Sequence, residues 1–101
     1  MSYDVVFIEE AKKDFRSLNR SQKILLRKSI AKLQSYGMEV GQPLKGEMTG
    51  CRKLKHKKAG LRIVFRESEE GLEIIQVIAI GKRENQYVYH AAVDRINKEL
   101  Y

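Results

Sequence analysis

Apolar positions change period several times along the chain, and each change predicts an element. Tyr3-Asp4-Val5-Val6-Phe7 is short and rich in β-formers, which predicts a first strand. Around Glu9 the period changes: Ile8, Ala11, Phe15 and Leu18 fall at steps of three and four, the stripe of an amphipathic helix. Glu9 and Glu10 stand near its start, where carboxylates suit the helix dipole. Asn19 is expected to stop this helix in a left-handed conformation and Ser21 to cap the next. Leu26, Ile30 and Leu33 mark the buried face of that second helix, which Gly37 ends. So tight a junction predicts an antiparallel helical hairpin.

Residues 37–50 hold four of the seven glycines and the only proline, Pro43, and read as a connecting loop. From Cys51 the period becomes two. Lys53, Lys55 and Lys57 share one strand face and Leu54 points the other way. After a turn at Lys58-Ala59-Gly60, the next strand sets Leu61, Ile63 and Phe65 against Arg62, Val64 and Arg66. An acidic turn ending at Gly71 leads into Leu72–Ile80, apolar at almost every position, as an inner strand covered on both faces must be. Gly81 is expected to end it. Asn85–Leu100 then carries Tyr89, Val93, Ile96 and Leu100 at helical spacing. The order β-α-α-β-β-β-α predicts an α+β class: a small, mostly antiparallel four-stranded sheet packed by the N-terminal helical hairpin, with a C-terminal helix. The apolar sides of the amphipathic strands would meet the hairpin and leave their basic sides on the far face.

A chain of 101 residues, 43% hydrophobic, has room for one domain spanning 1–101 and enough apolar matter for its core. It has no run of eighteen apolar residues and no basic-then-apolar leader, so a cytoplasmic protein without membrane contact is expected. The single cysteine, Cys51, can make no internal disulfide and leaves zinc short of soft ligands.

Charge sharpens the picture. The formal net charge is +7, and residues 51–66 hold Arg52, Lys53, Lys55, Lys57, Lys58, Arg62 and Arg66 with no acid. Outside that window cations and acids balance, so the whole surplus is concentrated in sixteen residues. Cross-strand neighbours lie roughly 5 Å apart, so these cations repel until a counter-charge arrives. Phosphate is the natural one. A solvated basic edge that deters strand-to-strand aggregation is the plainer reading, but it gives no reason for Lys82-Arg83 at the end of the inner strand.

Catalysis on such a face would have particular needs. The acids are scattered over helices and turns, so neither a metal nor a cofactor is expected. The two histidines, His56 and His90, make a poor acid–base pair, because His56 falls on the strand face opposite Lys55. No Ser-His-Asp pattern or phosphate-cradling glycine loop is visible. RNA, however, carries its own nucleophile, the 2′-hydroxyl. A lysine crowded by cations has a lowered pKa and can act as base, arginines can stabilise a five-coordinate phosphorus, and a tyrosine can stack on a base.

Several segments together resemble the RelE family of bacterial toxins, within the RelE/ParE superfamily. They are Pro43-Leu44-Lys45-Gly46, Cys51-Arg52-Lys53-Leu54-Lys55 and Gly60-Leu61-Arg62-Ile63-Val64-Phe65, then Val77-Ile78-Ala79-Ile80-Gly81-Lys82-Arg83-Glu84, Val88-Tyr89 and Ala92-Val93-Asp94-Arg95-Ile96. The resemblance implies the toxin of a type II toxin–antitoxin system. Such a toxin is an endoribonuclease that cuts mRNA in the ribosomal A site by metal-independent 2′-hydroxyl attack, leaving a 2′,3′-cyclic phosphate. Carried over by motif, Lys53 and Lys55 are the paired strand lysines, Lys55 the better base. Arg62 stabilises the transition-state phosphate, Arg83 serves the leaving group, and Tyr89 positions or stacks on the substrate base. Lys45, Lys57 and Lys82 are expected to hold RNA phosphates.

The partners so implied are the 70S ribosome with mRNA and a cognate acidic, RelB-like antitoxin. The antitoxin would neutralise the basic face or displace the C-terminal helix, and promoter DNA would be bound only through the complex. Two other functions fit the same fold: a ParE-like toxin that inhibits gyrase without nuclease activity, and a non-catalytic module that grips RNA or the ribosome.

Overall fold

The computed structural model describes residues 3–69, 73–82 and 86–99. Strand β1 (Asp4–Phe7) leads into helices α1 (Glu9–Ser17) and α2 (Arg20–Tyr36). A two-residue strand β2 (Gln42–Pro43), strands β3 (Cys51–His56), β4 (Leu61–Glu67) and β5 (Ile74–Lys82), and helix α3 (Tyr87–Glu99) complete it. The class is α+β as expected, but the sheet has five strands in the order β1-β5-β4-β3-β2. β1 runs parallel to β5 and the other pairs are antiparallel.

The helical hairpin forms with one change at its junction. Asn19 is not left-handed (φ −75°, ψ 174°); it caps α2 itself, in place of Ser21. Its side-chain oxygen accepts the Gln22 N–H at 2.9 Å, and the Gln22 side chain accepts the Asn19 N–H at 3.0 Å. A short amide in extended backbone reaches the third helical N–H, so the capping box outcompetes a left-handed stop.

The fifth strand lies inside the glycine-rich connection, where composition alone reads as loop. Gln42 and Pro43 pair with Lys53 and Arg52. The approach depends on Gly41 (φ +78°), where a Cβ would stand 2.2 Å from the Lys53 carbonyl oxygen. Arg52 fixes the same connection, donating to the carbonyls of Val40 at 3.0 Å and Gly41 at 2.7 Å. One cation of the basic window is therefore structural.

Both faces of the sheet are covered. On one side Ala11, Leu26 and Leu33 of the hairpin pack on Leu61, Ile63, Phe65, Ile75, Val77 and Ile80. On the other, Val88 and Ala92 of α3 pack on Cys51, Val64, Ile78 and Ala79. Each such large aliphatic or aromatic side chain contributes about 1.5–3 kcal/mol by leaving water. A bulge lies within β5: Val64 opposes Ala79 and Phe65 opposes Val77, leaving Ile78 unopposed. The phase of alternation flips there, which explains the unbroken apolar run. β5 also continues through Gly81 and Lys82 instead of ending at Gly81.

In α3 the fully buried residues are Val88 and Ala92, with Tyr89 and Ile96 packed beside them. The expected stripe through Val93 is thus rotated, and Asn85 and Leu100 lie outside the described residues. An ion pair fastens this helix. Asp14 of α1 accepts from Arg95 at 2.5 and 3.1 Å and from the Ile80 N–H at 3.0 Å, while Arg95 also donates to the Ile78 carbonyl at 3.0 Å. β1 pairs with β5 only as far as Val77, so this pair satisfies the strand edge that β1 leaves open. Among the described residues no helix is long and apolar enough to cross a membrane.

Candidate active site

The β3–β4 hairpin sets the geometry. It turns through Lys57–Ala59 and Gly60, whose left-handed backbone (φ 64°) closes it. In the resulting register Lys55 stands directly opposite Arg62, and Lys53 opposite Val64. Lys53, Lys55 and Arg62 therefore share the face that carries Cys51 and Val64, the side on which α3 packs. α3 covers only part of that face. Its Tyr89 reaches β3, where the Lys53 Nζ lies 5.7 Å from the ring centroid. Four of the five proposed catalytic side chains, from two strands and one helix, are thus brought together. Arg83 lies outside the described residues.

The charges in this cluster are not neutralised internally. Among the described residues, none of Lys53, Lys55 and Arg62 has a carboxylate partner. Arg62 is 7% exposed, which is deep for a cation, and among the described residues it donates only to the neighbouring Leu61 carbonyl, at 3.1 Å. A guanidinium held this way keeps donors in fixed directions for an incoming anion. The Lys53 charge pushes the Lys55 ammonium below the ordinary lysine range; burial and the charges of Arg62 and Lys57 add to it. Both effects favour the neutral amine, the form that can accept a proton.

The accessory lysines separate. Lys57 is exposed at the hairpin turn beside Lys55, and Lys45 is exposed in the segment after β2. Lys82 does not join them. It pairs with Leu61, a residue of the hairpin-side core, and lines a recess of about 500 Å³ with Asp14, Ser17, Gln22, Tyr87 and His90. Lys82, expected to hold RNA phosphate, stands on the other face because the bulge in β5 shifts the alternation beyond Ile78.

Other reactive side chains have structural surroundings. The His56 Nε2 is hydrogen-bonded to the buried Ser29 hydroxyl on the hairpin side, and burial, helped by Lys32, pushes its pKa down. His90 is exposed on α3 beside Tyr87, so the two histidines share no site. Burial pushes the Cys51 thiol up, with Arg66 opposing in part, so it is a poor nucleophile. No three His, Cys, Asp or Glu side chains cluster to hold a metal among the described residues. The Lys53–Tyr89 contact and the Asp14–Arg95 clamp escaped sequence reasoning, because each joins residues far apart in the chain.

No family profile matches the chain. Individual proteins do. It is 36% identical over 97 residues to the mRNA interferase toxin RelE of Escherichia coli strain K12, covering 95% of this chain and 99% of that one. It is 33% identical over 96 residues to a putative RelE-like toxin of Escherichia coli, again over 95% and 99% of the two chains. Among solved structures, the free state of an Escherichia coli RelE double arginine-to-alanine mutant superposes with a TM-score of 0.79 at 32% identity, over 95% and 99%. The toxin in the intact Escherichia coli RelBE toxin–antitoxin complex gives 0.70 at 29% identity, over 83% and 100%.

Proposed function

The chain belongs to the RelE family of mRNA interferase toxins, and on that premise we propose that it cuts mRNA in the ribosomal A site with the Lys53, Lys55, Arg62 and Tyr89 cluster. The neutral Lys55 amine takes the proton of the 2′-hydroxyl, and the 2′-oxygen attacks phosphorus. The bond to the 5′-oxygen of the next nucleotide breaks, leaving a 2′,3′-cyclic phosphate and, once that oxygen gains a proton, a 5′-hydroxyl. Arg62 holds the extra negative charge of the five-coordinate phosphorus. Tyr89, fixed against Lys53, stacks on a base, the Lys53 charge holds the Lys55 pKa down, and Arg83 serves the departing oxygen. Lys45 and Lys57 contact RNA phosphates. The whole chain acts as one toxin domain in the cytoplasm, restrained by an acidic antitoxin that also carries the pair to promoter DNA.

One observation supports this reading above the others: a buried arginine, with no carboxylate partner among the described residues, directly opposite a lysine whose charge its neighbours disfavour. A module that only grips phosphate has no use for a lysine whose charge is disfavoured. The test is in vitro translation with primer extension, comparing wild type with Lys55→Ala. Cuts within the translated frame should vanish in the variant while ribosome binding changes little. Intact message with saturating wild-type protein would overturn the proposal, as would cutting by the variant in step with a modest loss of binding.

A further inference from the structure

Tyr87 is the first residue of α3 and is 62% exposed. Its ring nevertheless lies against the sheet. Gly81 of β5 stands directly opposite Arg62, and a Cβ built on Gly81 would meet the Tyr87 Cδ1 at 3.6 Å and the Val88 Cβ at 3.4 Å. The ring therefore rests on a bare strand position beside Arg62, with most of its surface in solvent. It also lines the recess of about 500 Å³ that holds Lys82, Ser17, Gln22 and His90. Asp14 is the one acid lining that recess among the described residues, and its two oxygens are engaged by Arg95 and the Ile80 amide. Lys82 is exposed and has no carboxylate within salt-bridge distance among the described residues. Glu10 and Asp94 lie beyond Tyr87 and His90, in a separate recess with Arg95 and Lys98.

Each feature restricts the occupant. An open aromatic ring suits a splayed-out base, a free ammonium beside it suits a phosphate, and the Ser17 hydroxyl and Gln22 amide can meet a base edge. Together they describe one nucleotide of a single strand. Position decides which one. Arg62 is assigned to the scissile phosphate, and Gly81 opposite it presents no side chain to block a strand passing over the end of the sheet. Lys82 is the chain neighbour of Arg83, assigned to the departing oxygen. We propose that this recess is a second nucleotide subsite, which takes the mRNA nucleotide on the 3′ side of the cut: its base stacks on Tyr87 and its following phosphate pairs with Lys82. This rests on the reading of the chain as an mRNA interferase. Holding the departing nucleotide fixes the direction in which its oxygen leaves, so that the 2′-oxygen attacks from the opposite side. Lys82 thereby holds a phosphate after all, around the end of the sheet from Lys55.

The experiment measures kcat/KM for cutting ribosome-bound message that carries either a normal or an abasic nucleotide directly 3′ of the cut. Tyr87→Ala should cut the normal message about tenfold more slowly than wild type, and Tyr87→Phe should recover most of that loss. The abasic message should cost wild type about tenfold and cost Tyr87→Ala little more, because both changes remove the same stack. Lys82→Gln should slow cutting about threefold and lower the salt dependence of kcat/KM by about one ion. Both side chains are exposed, so neither change touches the core. Wild-type cutting of the normal message by Tyr87→Ala would overturn the proposal. So would losses from Tyr87→Ala and the abasic site that simply multiply, which would assign the ring to a nucleotide of ribosomal RNA. Failure of the ribonuclease reading has its own signature: no cutting of the normal message by saturating wild-type protein.

Discussion

Removing the carboxylate of Asp14 tests how α3 is held over the Lys55–Arg62 face. Asp14→Ala takes away the acceptor for two Arg95 N–H groups and for the Ile80 amide. The side chains of Arg95 and Asp14 are only 13% and 15% exposed, so the pair behaves more like a buried pair than a surface one. An orphaned backbone amide and a stranded, largely shielded guanidinium together cost about 3 kcal/mol. For a chain near a hundred residues that corresponds to a drop in Tm of roughly 10–20 °C. Urea unfolding of wild type, Asp14→Ala, Arg95→Met and the double variant would isolate the coupling, expected at about 2 kcal/mol. An Asp14→Ala cost below about 0.5 kcal/mol with additive single effects would refute the clamp. Because α3 carries Tyr89, cleavage should also fall in the variant, and more steeply with temperature than in wild type.

Other consequences follow from the same geometry. Lys53→Gln removes the largest influence holding the Lys55 pKa down, so that pKa rises and less neutral amine is present at any given pH. The acidic limb of the kcat–pH profile should therefore move to higher pH; an unmoved limb would exclude Lys55 as the base. Gly41→Ala forces a Cβ to within 2.2 Å of the Lys53 carbonyl oxygen. It should cost more than about 2 kcal/mol in denaturant unfolding and lower activity by displacing β3. Cys51 lies beneath α3 at 3% exposure with its thiol pKa raised, so alkylation should be slow in the folded protein and faster in Asp14→Ala. Equal rates would mean that the helix is not held by the pair.

Much of this was legible in the chain. Period-two alternation placed Lys53, Lys55 and Arg62 on one face because the hairpin has no irregularity between Cys51 and His56. Periodicity failed wherever a local device reset it. The Asn19 box moved a helix cap, the Gly41 approach drew a strand out of a glycine-rich loop, and the Ile78 bulge carried Lys82 off the face of Lys55 and Arg62. The Tyr89 ring could be assigned by resemblance, but its seat over Lys53 depends on how α3 crosses the sheet. That crossing is fixed by Arg95 and Asp14, a pair eighty-one residues apart.

The claim at the centre is that RNA supplies the nucleophile and this cationic face supplies everything else. The direct measurement is ribosome-bound cleavage of a message carrying one 2′-deoxy nucleotide at the cut position, with end-group analysis of the all-ribo control. Cutting should disappear at the deoxy site, and the control should yield a 2′,3′-cyclic phosphate and a 5′-hydroxyl. Undiminished cutting at the deoxy site, or a 5′-phosphate in the control, would mean that water attacks and that Lys55 and Arg62 have other work.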